Sequence, residues 1–471
     1  MKAKSSRWLS ILMFVCLLSA AVTASVIPNL FPYADRSGFV STFSSTGSFD
    51  TSGPFFQSLG TNGRTCATCH VAANGMGLSA AHAEEVYKAT HGKDPLFSAV
   101  DGAVCPTAEH GQHLDFSLLR EKGLIRIGLT MPTNPQFTLR VVKDPYGCAL
   151  VTDSQGMQTI SVYRRPLPST NLGFLSSVMW DGRETVTPLN SASTFAANLL
   201  TDLSHQAMDA TLGHAQAANP PTTAQVNGIV NFELALDSAQ GVDFHAGILN
   251  SNGANGGAQF LSTVPFFPGI NDSLGPASGF TPNAFTIYSE WGTSAYPAQR
   301  SVARGEEIFN TQPMVITNVR GLNDALNQPV VNGTCTTCHD TPNVGDHSLA
   351  VPLEIGTSRT EKFETDPTIQ AAVSQLSMPK LPIFRVSCNE GPDAGEVTYT
   401  SDPGKALLTG SCSDVGRGKG LILRGLAARA PYFHNGAAAT LDEVVDFYNV
   451  RFQMHLTYEQ KQDLINFLKT L

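Results

Sequence analysis

The pentapeptide Cys-x-x-Cys-His occurs twice in this chain of 471 residues, as Cys66-Ala67-Thr68-Cys69-His70 and as Cys335-Thr336-Thr337-Cys338-His339. No other feature constrains the fold as much, because this spacing is the attachment signature of c-type haem. Two thiols three residues apart lie on one side of a helical turn, where both can form thioethers with one haem's vinyl groups. The histidine that follows is carried beneath the ring, and its imidazole takes the proximal iron position. A redox Cys-x-x-Cys that happens to precede histidine, or half of a zinc site, would use the same residue types. Two copies behind an export leader favour two covalently bound haem c groups.

The leader is read over residues 1–24. Lys2, Lys4 and Arg7 form a positive segment, Trp8 to Leu18 a short apolar core, and Ala21-Val22-Thr23-Ala24 supplies small residues for cleavage near Ala24. The apolar run is too short and too soon broken by Ser and Thr to favour an uncleaved anchor. The mature chain is therefore expected in the periplasm or otherwise exported, with no membrane span. The formal charge is −9, and loss of the three leader cations leaves −12. Such an acidic chain repels nucleic acid and anionic membranes and steers towards a basic redox partner. Hydrophobic content of 42% with 15% charged residues is that of an ordinary globular protein, long enough for two or three domains with proper cores.

Of nine cysteines, Cys16 leaves with the leader and four belong to the repeated motif, so Cys105, Cys148, Cys388 and Cys412 remain. An even remainder in an oxidising compartment points to two disulfides. Cys105–Cys148 and Cys388–Cys412 are the favoured pairs, since each lies within one half of the chain; buried free thiols are the alternative.

Local signals predict helices at several places. Ser79 caps one through about Thr90. Another runs from Asp202 to about Ala218, one begins near Thr223, and one opens at Ser301. Thr440-Leu441-Asp442-Glu443 and Thr457-Tyr458-Glu459-Gln460 are capping boxes for the last two. Residues 25–64 read as an extended lead-in, and 340–420 as mostly loop. Short apolar runs at 124–127 and 138–142 read as strands. Residues 247–281, dense in Gly, Asn, Ser and Pro, read as a linker that covers something.

Met179-Trp180-Asp181-Gly182-Arg183, Pro431-Tyr432-Phe433-His434-Asn435-Gly436 and Phe447-Tyr448-Asn449, in order with the two haem motifs, resemble the bacterial di-haem cytochrome c peroxidase and MauG family. The resemblance covers most of residues 55–471 and leaves 95–165 and 247–281 poorly explained. It implies a mainly α fold of two cytochrome c-like haem domains with long loop insertions and a few short strands. The expected division is an N-terminal haem domain over 25–246 with an insertion at about 95–165, a linker over 247–297, and a C-terminal haem domain over 298–471.

The same resemblance assigns roles. The iron held by His70 reacts with peroxide, and the one held by His339 stores or relays an electron through Trp180. An ordinary core tryptophan is the alternative for Trp180. Tyr448 matches the position where family peroxidases place an axial methionine and MauG a tyrosine; an anionic oxygen ligand favours higher oxidation states. Met454 is the rival ligand. His82 is a candidate for the far side of the first haem. Gln206 fits the family's glutamine, but Gln216 stands where the family has its glutamate. An amide bonds to peroxide yet cannot titrate, whereas His214, two residues earlier, can. Residues two apart on a helix do not share a face. A calcium ion between the domains is implied near Asn171, Arg429 and Pro431.

The leading expectation is an exported di-haem c-type oxidoreductase that reduces hydrogen peroxide, or uses high-valent iron derived from it, to oxidise a partner. That partner is a small electron donor of cytochrome c or cupredoxin type, or a protein substrate, and the enzyme itself is a monomer or homodimer. The alternatives are a non-enzymatic di-haem electron-transfer cytochrome, and an oxygenase-type haem enzyme acting on an organic substrate.

Overall fold

The computed structural model describes residues 26–107, 113–152, 156–274 and 279–471. The leader expected over 1–24 lies outside them. Among the described residues no helix is long and apolar enough to cross a membrane.

The fold is mixed rather than mainly α, with 29% of the described residues in helix and 17% in strand. The strands form five small sheets of two to four members. The reason lies in segments whose pairing partners are far away in sequence. In the lead-in, Gly38–Ser44 pairs antiparallel with Leu236–Asp243. Within the 95–165 insertion, Ile125–Thr130 pairs with Gln158–Arg164. Phe137–Lys143 pairs with Ile383–Cys388, which pairs in turn with Val397–Thr400. Part of the stretch expected to be loop is therefore sheet.

Helices form where their caps predict. Ser79 Oγ accepts the His82 N–H at the start of Ala80–Thr90. Thr222 and Gln225 make a capping box for Thr223–Leu234, Thr440 caps Leu441–Arg451, and Thr457 with Gln460 opens Tyr458–Leu468. Each cap satisfies N–H groups that lack an intrahelical partner. Two boundaries differ from expectation: one helix spans Phe195–Gly213, earlier at both ends, and the other begins at Pro297, whose missing N–H costs nothing there.

Two apolar cores hold the haem motifs. The first gathers Phe55, Met76, Leu203, Ile229, Val230 and Leu236, among others, around the Cys66 motif. The second gathers Phe285, Tyr288, Trp291, Phe309, Phe467 and their neighbours around the Cys335 motif. In the second, Pro297–Thr311 lies against Tyr458–Leu468 so closely that a Cβ on Gly305 would sit 2.0 Å from the Asp463 carbonyl oxygen. Only glycine permits that approach. Residues 247–297, expected as a linker that covers something, pack into both cores. Leu249, Ile287, Tyr288 and Trp291 are buried in the second core, while Ala258 and Leu261 belong to the first. Both expected disulfides, Cys105–Cys148 and Cys388–Cys412, are present.

Candidate haem sites

The two haem motifs are built alike. Thr65 and Thr334 each open a short 3-10 turn and bond through the main-chain N–H to the hydroxyl of the threonine three residues on, at 3.0 and 2.9 Å. Each following histidine donates Nδ1–H to the carbonyl six residues ahead: His70 to Met76 at 3.2 Å, His339 to Gly345 at 2.5 Å. A carbonyl only accepts, so the proton is fixed on Nδ1 and Nε2 keeps its lone pair. Phe55 stands 6.2 Å from the His70 ring and Phe309 stands 6.0 Å from the His339 ring, centroid to centroid. Burial pushes His70 down to about 4 and lowers His339 likewise, which keeps both imidazoles neutral. The four motif cysteines are unpaired thiols, while the other four described cysteines are in disulfides.

Each motif borders its own largely apolar cavity. Two thiols, an imidazole with a free Nε2 and apolar walls fit a covalently attached haem. The cavities share a wall: Pro166, Leu167, Pro168, Lys419, Leu421 and Arg429 border both. Burial pushes Lys419 down to about 8 and Arg429 down to about 10. Lys419 donates to the Ser177 carbonyl at 2.8 Å, and the buried Arg429 donates to the carbonyls of Gly425, Ile422 and Arg424.

Trp180 borders the second cavity. Its indole N–H donates to the Arg165 carbonyl at 2.8 Å, and its ring meets His434 edge-on at 5.8 Å. Asp181 beside it is buried and paired with Arg164 at 2.5 Å and with Arg183 at 3.2 Å. Burial alone would raise this carboxyl; Arg164 and then Arg183 instead hold it down to about 2. Arg164 also bonds Asp402, so one guanidinium ties the Trp180 loop to the C-terminal half.

Tyr448 and Met454 both border the second cavity; Met454 is buried in the core around it and Tyr448, partly buried, packs against that core. Burial raises the Tyr448 phenol well above its ordinary range, with Cys338 and Cys335 adding to the effect.

Over the first cavity the helix Phe195–Gly213 sets the arrangement. Gln206, Ala210 and His214 follow one another at intervals of four, on one face, and all three border the cavity. The helix ends at Gly213 with His214 as its C-cap. Gln216 therefore leaves the helical path: its φ is +55°, it is exposed, and its amide oxygen accepts from Asn62 at 3.3 Å. It does not border the cavity, nor does His82, which lies partly buried in the first turn of Ala80–Thr90.

Sequence reasoning missed Asp101, Arg64 and Glu233. Asp101 accepts from His214 Nδ1 at 2.5 Å and pairs with Arg64, and all three border the first cavity. Burial opposes charge on Asp101, yet His214 and Arg64 lower its pKa on balance. Burial pushes Glu233 up to about 8, so it is protonated at neutral pH. No signal in the sequence joins Asp101 to His214 across 113 positions.

The donor set expected for calcium does not fit that ion. Asn171 spends its amide on the Ser238 main chain, at 2.8 and 3.0 Å. The Arg429 carbonyl receives the guanidinium of Arg165, which also donates to the Leu78 carbonyl. A cation of the protein's own already occupies the Arg429 oxygen.

No family model matches the chain. A curated cytochrome-c peroxidase, IdrP2 of Denitromonas iodatirespirans, is 28% identical over 149 residues, which is 30% of this chain. The resemblance to the di-haem cytochrome c peroxidase and MauG family stands. The match spans 36% of that peroxidase, about a third of its length. Among solved structures, a MauG-like protein associated with microbial copper homeostasis aligns over 69% of this chain and 79% of its own. At 16% identity and a TM-score of 0.28, that alignment is too weak to fix the topology. The likeness to the peroxidase and MauG family rests on the ordered sequence motifs and on the partial match to that peroxidase.

Proposed function

We propose that this chain is an exported di-haem c-type oxidoreductase of peroxidase type. It takes electrons singly from a small redox protein and delivers them to hydrogen peroxide. The observation that carries the reading is the pair of haem-ready cavities separated by one shared wall. One cavity has the polar residues Gln206 and His214 on its border; the other has Tyr448 and Met454.

Haem, when bound, supplies iron that changes oxidation state by single electrons. The chain supplies everything else. His70 and His339 offer neutral Nε2 ligands held in orientation by their Nδ1–H bonds. Gln206 is placed to hold peroxide by its amide. Trp180 is the relay between the sites: its N–H contacts the Arg165 carbonyl, and the next residues, Pro166 to Pro168, border both cavities.

The test is an EPR and optical spectrum of the purified holoprotein with and without peroxide, followed by peroxide-dependent oxidation of a reduced small cytochrome. A high-spin ferric signal that peroxide abolishes, with turnover of the donor, is expected. Two low-spin irons unmoved by peroxide would instead mean a di-haem electron-transfer protein.

A further inference from the structure

We infer that His214, aimed by Asp101, is the proton carrier of the first haem cavity and takes the place of the carboxylate that Gln216 cannot supply. The inference rests on the peroxidase reading above and says which residues do its acid–base work.

The geometry is specific. His214 borders the cavity from the C-cap of its helix, one turn beyond Ala210 and two beyond Gln206. Its Nδ1 is bonded to Asp101 Oδ2 at 2.5 Å, and no described residue bonds its Nε2. A carboxylate on Nδ1 fixes that proton there and leaves Nε2 as the basic nitrogen, while stabilising the imidazolium that forms when Nε2 accepts a proton. Asp101 is itself held: Arg64 donates to its other oxygen, to the carbonyls of Pro95 and Leu96 at 2.7 Å each, and to that of His214 at 3.4 Å. Asp101 is 4% exposed and His214 is half-buried, so the pair is rigid at its base and open at its tip. Glu233, the remaining carboxyl on this cavity, is buried and borders it from the helix Thr223–Leu234.

His214 itself carries a proton and no electrons; the two electrons that reduce the peroxide come from the donor protein. Nε2 takes the proton from one peroxide oxygen and returns it to the other, which leaves as water with the electron pair of the O–O bond. The oxygen left behind becomes a second water with two electrons from the donor protein and two protons from solvent. Asp101 stays ionised throughout and is a positioning residue. Residues 95–165, which the family resemblance does not explain, thereby acquire a role: they bring Asp101 to the site.

The experiment compares His214→Gln, Asp101→Asn and the double variant His214→Gln/Gln216→Glu with the wild-type holoprotein. Two quantities are read: kcat/KM for peroxide, and the association rate of cyanide, which must lose the proton of HCN to bind iron. His214→Gln should lower both by about a hundredfold or more, the range of a lost general base. Asp101→Asn should lower both by about tenfold or more. Because it also leaves the buried Arg64 without its anion, a folding defect there is separated by His214→Gln, which removes no buried charge. Gln216→Glu should restore nothing. Wild-type turnover with His214→Gln within about twofold of it would overturn the inference and leave the peroxidase reading intact. So would restoration by Gln216→Glu, or a change from low-spin to high-spin iron on His214→Gln, which would make His214 an iron ligand. A wild type that neither binds cyanide nor reacts with peroxide would sink both.

Discussion

The indole N–H of Trp180 donates to the carbonyl oxygen of Arg165 at 2.8 Å, and the chain from that carbonyl enters the proline-rich segment that borders both cavities. A ring on one cavity is thus bonded to the start of the wall it shares with the other. Replacing the indole by a benzyl group keeps an aromatic surface but removes the N–H and part of the π system. Trp180→Phe should slow electron transfer between the irons by about tenfold, equivalent to ~1.4 kcal/mol of barrier. Stopped-flow absorbance after mixing the half-reduced protein with peroxide reads this directly; an unchanged rate would remove Trp180 from the path.

Tyr448 and Met454 both border the second cavity and are the rival candidates for one iron ligand, so their variants should behave differently. If Tyr448 is the ligand, Tyr448→Phe changes the second haem's spectrum and raises its potential, and Met454→Leu leaves both nearly untouched. A thioether ligand gives the opposite pattern, with Met454→Leu lowering the potential. Spectroelectrochemistry of the two variants decides it.

Asp181 carries a pH dependence whose sign is fixed. Its carboxyl is held down to about 2 from an ordinary 3.8. A depressed acid contributes stability that is fully present above the unfolded value and lost as pH falls through the folded one. That contribution, ~2 kcal/mol from the lowering, should disappear between about pH 4 and pH 2. Acid titrations of wild type and Asp181→Asn followed by circular dichroism should differ at neutral pH and converge at the acid end. Parallel curves would rule the pairing out as a source of stability.

Cys105–Cys148 closes a loop with a sequence separation of 43. Restricting the unfolded chain over that length stabilises the fold by about 3–4 kcal/mol. Cys105→Ser/Cys148→Ser should lower the melting temperature while leaving haem content at two per chain, as pyridine haemochrome absorbance can count. Loss of haem would show instead that this disulfide shapes the site and not only the stability.

Gly305→Ala tests the tightest helix contact. The added methyl meets the Asp463 carbonyl and the Phe467 side chain, and overpacking of this kind costs about 1–3 kcal/mol. Thermal unfolding of the holoprotein gives the size of the effect.

What was legible in the sequence was local. The haem motifs, the Thr and Ser caps and the glycine- and proline-marked turns act over a few residues, and the helices capped by Ser79, Thr440 and Thr457 start where those signals put them. Four remaining cysteines allow three pairings, and the pairs within each half of the chain, favoured by their closeness in sequence, are the ones present. The mixed fold was not readable. Pairing of Phe137–Lys143 with Ile383–Cys388 spans some 240 positions, and alternation in one strand does not name its partner. Residues 247–281 read as a linker because Gly, Asn, Ser and Pro are dense there, yet large side chains further along, Trp291 above all, are buried in the second core. The arrangement over the first cavity turned on a helix ending at Gly213. A continuous helix keeps His214 and Gln216 on different faces, whereas the actual end turns Gln216 outward and leaves His214 in line with Gln206.

The strand Phe137–Lys143 has a further consequence for how this molecule can be divided. It takes its backbone partner from Ile383–Cys388, on the far side of the second haem motif. A fragment ending before residue 247 would keep one whole haem motif and still expose a row of unpaired N–H and C=O groups, an invitation to aggregate. Cutting the covalent chain between the halves would likewise not part them, since the ladder and the Arg164–Asp402 pair hold across the cut. The two haem sites are therefore inherited, expressed and lost together.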